Sequence, residues 1–106
     1  MADFVKVANT KDIPVNSIKP FRINGVPVAI ANLNGEFLAI SDVCTHDGGD
    51  LGDGEVVDGC CVECPRHGGK FDLKTGDVTG PPPTVKIKTY EVKLEGDDIY
   101  VFLEEW

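Results

Sequence analysis

Short runs in which apolar and polar residues alternate recur along the chain, and this period of two is typical of β-strands with one buried face. The clearest run covers residues 85–94, where apolar residues at 85 and 87, and then at 90, 92 and 94, alternate with polar ones. A turn at 95–98 follows it, and a second apolar run covers 99–103. This pattern predicts one strand over 85–94 and a C-terminal hairpin.

Three Asx-Gly pairs separate neighbouring apolar runs: Asn24-Gly25, Asn34-Gly35 and Asp58-Gly59. Such pairs supply the positive φ angles that two-residue hairpin turns require. Another turn is predicted at 74–77, after a short strand over 70–73. Only residues 10–13 suggest a helical turn. The sequence therefore predicts a single all-β antiparallel domain of about eight to ten short strands.

Length and composition agree with that fold. The chain has 106 residues, enough for one small domain, and its 12 glycines and 7 prolines suit many tight turns. No stretch approaches the roughly 20 apolar residues that span a bilayer. The N-terminus lacks the basic-then-apolar pattern of a signal peptide. We therefore expect a cytoplasmic protein that does not enter a membrane.

The formal charge of the chain is −8, from 18 acidic and 10 basic residues. An acidic surface argues against nucleic acid as a partner, because the phosphate backbone would repel it. Two explanations of the charge remain: it keeps the protein soluble, or it steers the protein toward a basic patch on a partner protein.

Two segments interrupt the alternation and are predicted to be loops, 44–54 and 64–69. The first contains Cys44-Thr45-His46, and the second contains Cys64-Pro65-Arg66-His67. The chain has only two histidines, and each lies within three positions of a cysteine. Two glycine-containing loops that a sheet brings together can direct four such side chains to one point. We therefore predict a metal site formed by Cys44, His46, Cys64 and His67.

Two kinds of metal centre use two Cys and two His ligands: tetrahedral zinc, and a [2Fe–2S] cluster in which histidines replace two cysteines on one iron. Zinc motifs usually pair Cys with Cys and His with His. Here each loop contributes one of each, which suits a binuclear cluster because each loop can send one ligand to each iron. This distribution of ligands between the two loops favours an iron–sulfur cluster, and a zinc-stabilised binding module is the alternative.

The two motifs resemble the cluster-binding loops of Rieske-type ferredoxins, and the likeness continues through Gly68-Gly69-Lys70-Phe71-Asp72. Residues 80–83, Gly80-Pro81-Pro82-Pro83, resemble the proline loop that covers the cluster in that family. The resemblance implies that Cys44 and Cys64 hold the inner iron, and that His46 and His67 hold the outer iron, which receives the electron.

The resemblance also implies a fold and a role. The fold is a Rieske-like antiparallel β-sandwich or barrel of three small sheets within a single domain, 1–106. A basal part would cover about 1–40 and 80–106, and a cluster-binding part with two loops about 41–79. The role is that of a monomeric one-electron carrier, not an enzyme, between an NAD(P)H-dependent flavoprotein reductase and a terminal aromatic-ring oxygenase. The small Rieske-like subunit of an NAD(P)H nitrite reductase is an alternative role.

Departures from the family pattern concern the cluster's surroundings. Rieske proteins of respiratory complexes join their loops by a disulfide, and the corresponding positions here are Gly49, or a close neighbour, and Arg66. The same proteins place Ser and Tyr hydroxyls near the cluster sulfurs, where this chain has Gly69 and Phe71. Hydrogen bonds to the sulfurs stabilise the reduced cluster. Their absence predicts a potential near the low end of the Rieske range, about −150 mV rather than about +300 mV.

Some residues of reactive type receive no functional role from the sequence. Cys60 and Cys61 are adjacent at the start of a predicted strand, where one buried and one exposed thiol are expected because successive side chains face opposite sides. The alternative, a redox disulfide between the two neighbours, would need a strained geometry. Asp47, Asp50, Asp53 and Glu55 do not have the spacing of a calcium-binding loop and are expected to form a solvated acidic rim. The sequence assigns no role to Trp106.

Overall fold

The computed structural model describes residues 3–23, 25–42, 54–64, 68–80 and 86–103. Eleven strands and one short 3₁₀ helix, Thr10–Asp12, lie in these ranges. The strands are β1 (Asp3–Asn9), β2 (Ser17–Ile23), β3 (Val26–Leu33), β4 (Glu36–Ser41), β5 (Glu55–Val57), β6 (Cys61–Glu63), β7 (Lys70–Asp72), β8 (Val78–Gly80), β9 (Thr89–Tyr90), β10 (Val92–Glu95) and β11 (Asp98–Leu103). The all-β prediction is confirmed for the described residues, and no helix among them is long and apolar enough to cross a membrane.

The strands form three antiparallel sheets, which agrees with the expected number. Sheet A has the order β1-β11-β10, sheet B the order β2-β3-β4-β9, and sheet C the order β5-β6-β7-β8. Most neighbours in a sheet are also neighbours in sequence, because tight turns join them. The exceptions are β1 with β11 and β4 with β9, which bring the two halves of the chain together.

Sheet B is the middle layer, because both of its faces are buried. Along β3, Ala29, Ala31 and Leu33 lie in one core cluster with residues of sheet C, and Val28 and Ile30 lie in a second cluster with residues of sheet A. Successive strand residues point to opposite faces, so a strand buried on both sides must be apolar without interruption. The run from 26 to 31 satisfies this requirement.

The turns lie close to their predicted positions. Asn34 and Gly35 have φ angles of 55° and 98°, and Asp58 and Gly59 have 56° and 68°, as a type I′ hairpin turn requires. The predicted helical turn near 10–13 is the 3₁₀ helix, capped by Asn9, whose side chain accepts a hydrogen bond from the Lys11 N–H. Of the Asn24-Gly25 turn, Asn24 lies outside the described residues.

Two predictions about strands are wrong. The described residues contain eleven strands, not eight to ten. The run 85–94 is not one strand, because β9 pairs with β4 in sheet B while β10 pairs with β11 in sheet A. The chain changes sheets at Glu91, between these two strands. Within the run the apolar residues change from odd positions (85 and 87) to even ones (90, 92 and 94), so the alternation is not that of one continuous strand. The predicted hairpin of β10 and β11 is confirmed.

Candidate metal centre

One end of sheet C collects the segments that contain the predicted ligands. Glu55, the first residue of β5, pairs with Glu63, the last residue of β6. Lys70, the first residue of β7, pairs with Glu63 and with Gly80, the last residue of β8. The register therefore brings Glu55, Gly80 and both ends of the loop 64–69 to the same edge, where segments 43–53 and 81–85 connect to the described residues.

The backbone closes the loop between β6 and β7 tightly. The Cys64 N–H donates to the Gly69 carbonyl at 2.7 Å, and the Gly68 N–H donates back to the Cys64 carbonyl at 3.0 Å. Gly68 has a φ of +71°, which a residue with a side chain rarely adopts. His67 lies three positions after Cys64 in this loop of six residues, so both are candidates to approach one centre.

Cys64 lies at the boundary between the loop and the protein core. It is 2% exposed and belongs to the same cluster as Val62 and Phe71, between sheets B and C. A buried sulfur here can bind a metal ion from the protein side and keep water away from it.

The segments 43–53 and 81–85 both adjoin residues that backbone hydrogen bonds hold in place. At the start of segment 43–53, the Ser41 N–H donates to the Lys88 carbonyl at 2.9 Å, and the Asp42 N–H donates to the Pro27 carbonyl at 3.1 Å. After segment 81–85, the N–H of the buried Ile87 donates to the Gly76 carbonyl at 2.8 Å. Sheet B and the turn after β7 therefore hold the chain on both sides of the candidate centre.

The structure describes three of the predicted site residues: Cys64, Gly69 and Phe71. Gly69 is buried and Phe71 is 0% exposed, and neither carries a hydroxyl group. The remaining ones lie outside the described residues: Cys44, His46, His67, Pro81, Pro82 and Pro83. The same holds for Gly49, Arg66, Trp106, Asp47, Asp50 and Asp53.

The expectation for the adjacent cysteines is wrong, because Cys60 and Cys61 are joined by a disulfide bond. Cys60 belongs to the turn after β5 and not to β6, so the strand rule that separates neighbouring side chains does not apply to it. The two-residue turn predicted at Asp58-Gly59 put Cys60 at the start of the strand, whereas the observed turn covers residues 58–60.

A model of the Rieske [2Fe-2S] domain matches residues 3–91 of this chain. That match covers most of the chain and both predicted ligand loops. The chain belongs to the Rieske [2Fe-2S] domain family. Its cofactor is accordingly a [2Fe–2S] cluster, and the alternative of a zinc-stabilised module is wrong.

Relatives within the family are ferredoxins of dioxygenase systems. The chain is 39% identical over 98 residues to the biphenyl dioxygenase ferredoxin subunit of Pseudomonas sp., covering 92% of this chain and 90% of the relative. It is 41% identical over 95 residues to the 3-phenylpropionate/cinnamic acid dioxygenase ferredoxin subunit of Escherichia coli, covering 89% and 88%.

Solved structures agree with this placement. The ferredoxin of carbazole 1,9a-dioxygenase from Nocardioides aromaticivorans has a TM-score of 0.87 at 29% identity, covering 92% of this chain and 95% of that chain. A chain in a complex of reduced oxygenase and oxidized ferredoxin of carbazole 1,9a-dioxygenase has a TM-score of 0.85 at 33% identity, covering 92% and 91%. A nitrite reductase small subunit shares 20% identity and shows the fold alone.

These findings define the protein as a Rieske ferredoxin, which carries electrons and is not itself the catalyst. The described part of the site fits the cluster, because Cys64 supplies a buried sulfur at the edge of sheet C, next to the residues from which the other ligand segments continue.

Proposed function

We propose that this ferredoxin carries single electrons from an NAD(P)H-dependent flavoprotein reductase to a terminal aromatic-ring oxygenase. The observation that carries the proposal is the edge of sheet C, where a buried Cys64 lies beside the attachment points of the other ligand segments. Identity near 40% to ferredoxin subunits of two aromatic dioxygenases supports the same role.

The proposed ligands are Cys44 and Cys64 on the inner iron and His46 and His67 on the outer iron. The cluster supplies a site that accepts and releases one electron. The chain holds that site at the end of a small sheet and packs a hydrophobic core behind Cys64. We accordingly assign about 41–79 to a cluster-binding part, and about 1–40 and 80–106 to a basal part, of one domain.

Charge at the edge of sheet C supports docking to a basic surface. Glu55 is exposed and lies directly opposite the half-exposed Glu63. Lys70 stands opposite Glu63 on β7, but its ammonium group pairs with Asp58 at 3.4 Å. Within the described ranges, no ion pair joins the carboxylate of Glu55 or Glu63 to a cation. Two facing like charges cost stability in a sheet, and a basic partner would relieve that repulsion. We propose that a monomer in the cytoplasm, where NAD(P)H is available, docks transiently through this edge.

The ligand assignment is tested by exchanging the histidines for cysteine. His46→Cys and His67→Cys each add a negative thiolate to the outer iron, so the midpoint potential should fall by about 100 mV or more. Cys44→Ser and Cys64→Ser should lose the cluster, and Cys60→Ser is the matched control that should keep it. A histidine variant with the parent's potential would contradict the assignment.

The partners are tested with purified components of the relatives' systems. NADH, a dioxygenase reductase and this ferredoxin should reduce the oxygenase of the biphenyl or the phenylpropionate system, at a rate that falls with added salt. Transfer to neither oxygenase by a protein with a full cluster would refute the proposed partner class. Light scattering measures the molar mass of the ferredoxin in solution and so tests whether it is a monomer.

A further inference from the structure

The disulfide between Cys60 and Cys61 lies apart from the proposed cluster ligands. Cys61 begins β6 and Cys64 follows its end, so about 10 Å of strand separates them. Val62, Cys64 and Phe71 belong to the core between sheets B and C, whereas alternation places Cys61 on the opposite face of β6. The electron carrier role gives this pair no function.

A disulfide between adjacent residues adds little to the stability of a fold. Cross-links stabilise proteins mainly by restricting the unfolded chain, and the effect grows with the length of the closed loop. Here the sequence separation is one. The position therefore favours a chemical role for the pair over a structural one.

The backbone around Cys60 is held by hydrogen bonds that do not involve the S–S bond. The Cys60 N–H donates to the Val57 carbonyl at 3.2 Å, and the Cys60 carbonyl accepts from the Leu73 N–H at 3.0 Å. Because both sides of Cys60 are fixed by the sheet, breaking the S–S bond does not require the turn to open. Reduction by a dithiol, and its reversal by the disulfide form of that dithiol, can then proceed without unfolding.

Access to the pair is uneven. Cys60 is half-buried, whereas Cys61 is 2% exposed. A carboxylate oxygen of Asp72 lies within 4.8 Å of both sulfurs. An incoming thiolate can therefore reach the Cys60 sulfur more readily, and the Asp72 charge opposes its approach.

We propose that Cys60 and Cys61 form a reversible thiol–disulfide site that reacts with dithiol reductants independently of the cluster. A reductant thiolate attacks the Cys60 Sγ, the S–S bond breaks, and Cys61 leaves as a thiolate that takes up a proton given off by the dithiol. The second reductant thiol displaces Cys60 from the mixed disulfide. Two electrons and two protons pass to the protein, and the reductant is oxidised to its disulfide.

Alkylation of the native holoprotein before and after treatment with dithiothreitol tests the site. Cleavage after Glu55 and Glu63 releases the peptide 56–63, which contains both cysteines and neither Cys44 nor Cys64. Because Cys61 is buried, each sample is denatured in the presence of the alkylating reagent after the cluster spectrum has been recorded. We expect no alkylation of this peptide before reduction and two alkyl groups after it, with the visible spectrum of the native cluster unchanged by the reductant. Glutathione should form its mixed disulfide at Cys60.

Two outcomes would overturn the proposal: alkylation of both residues without reductant, or a disulfide that is reduced only when the cluster is lost. Asp72→Asn keeps the oxygen that accepts the Lys74 and Thr75 N–H groups and removes the charge. It should accelerate reduction about threefold. Asp77→Asn, in the same turn, is the matched control and should leave the rate unchanged; equal rates in both variants would exclude the role of Asp72.

Discussion

Replacing Gly76 with alanine should damage the turn that holds the chain after segment 81–85. Gly76 is buried, has a φ of +81°, and accepts the Ile87 N–H through its carbonyl. A Cβ at this position would collide with the Ile87 carbonyl oxygen and lie 3.3 Å from the Thr89 Cγ2. Both the backbone angle and the space therefore oppose a side chain.

The expected loss has two parts. A side chain in the left-handed region costs about 1–2 kcal/mol, and forcing extra atoms against packed backbone costs about 1–3 kcal/mol. Gly59→Ala isolates the first part, because Gly59 has a φ of +68° but no atom within 4 Å of the position that a Cβ would occupy. The collision alone should thus separate the two variants by about 1–3 kcal/mol.

Thermal unfolding of the two holoprotein variants, followed by circular dichroism without oxygen, measures this difference. One kcal/mol lowers Tm by about 4–8 °C in a domain of roughly this size. Gly76→Ala should therefore melt at least about 4 °C below Gly59→Ala, and it should lose its cluster sooner because Ile87 is displaced. Equal Tm values for the two variants would refute the close approach of Gly76 and Ile87.

Three further predictions concern the potential, the docking edge and the core. Phe71→Tyr places a hydroxyl diagonally across from Cys64, at a distance that an aromatic side chain can reach. A hydrogen bond from this hydroxyl to the Cys64 sulfur that is worth about 1 kcal/mol more in the reduced state should raise the midpoint potential by about 40 mV in a redox titration. An unchanged potential would contradict this geometry. Glu55→Gln removes the repulsion from Glu63 and leaves the cross-strand pair of Glu63 and Lys70 in place. It should raise stability by about 0.2–1 kcal/mol in thermal unfolding and slow electron transfer to the oxygenase at low salt, whereas unchanged transfer would exclude this edge from docking. Asn32→Ala leaves the Ile13 carbonyl and the Gly35 N–H without their hydrogen-bond partner. It should lower the free energy of unfolding in denaturant by about 2–4 kcal/mol. A loss below about 0.5 kcal/mol would show that neither group depends on Asn32.

Local chemistry explains which elements could be predicted. The turns at Asn34-Gly35 and Asp58-Gly59 depend on φ angles that these residues adopt readily, so their positions are set within a few residues of sequence. The same reason accounts for the C-terminal hairpin, whose turn contains Gly96 with a φ of +59°. These predictions were confirmed because no distant contact was needed to make them.

Long-range contacts explain the failures. The alternation over 85–94 changes phase between Ile87 and Tyr90, and it contains no information on which sheet pairs with either half. The partners of β9 and β10 lie on β4 and β11, far apart in sequence from one another. The disulfide was not predicted because the exact start of β6 could not be predicted. Neighbouring side chains point to opposite faces only within a strand, and β6 begins at Cys61, so this does not hold for Cys60.

The sequence by itself determined the family and the type of cofactor, because the residue types and spacing of the two Cys/His motifs are specific to that chemistry. It also determined the all-β class. Only the tertiary structure showed that β5 to β8 bring their loop attachments to one edge, beside a buried Cys64. The physical reason is that strand register is a property of pairs of segments, and no single segment specifies its partner.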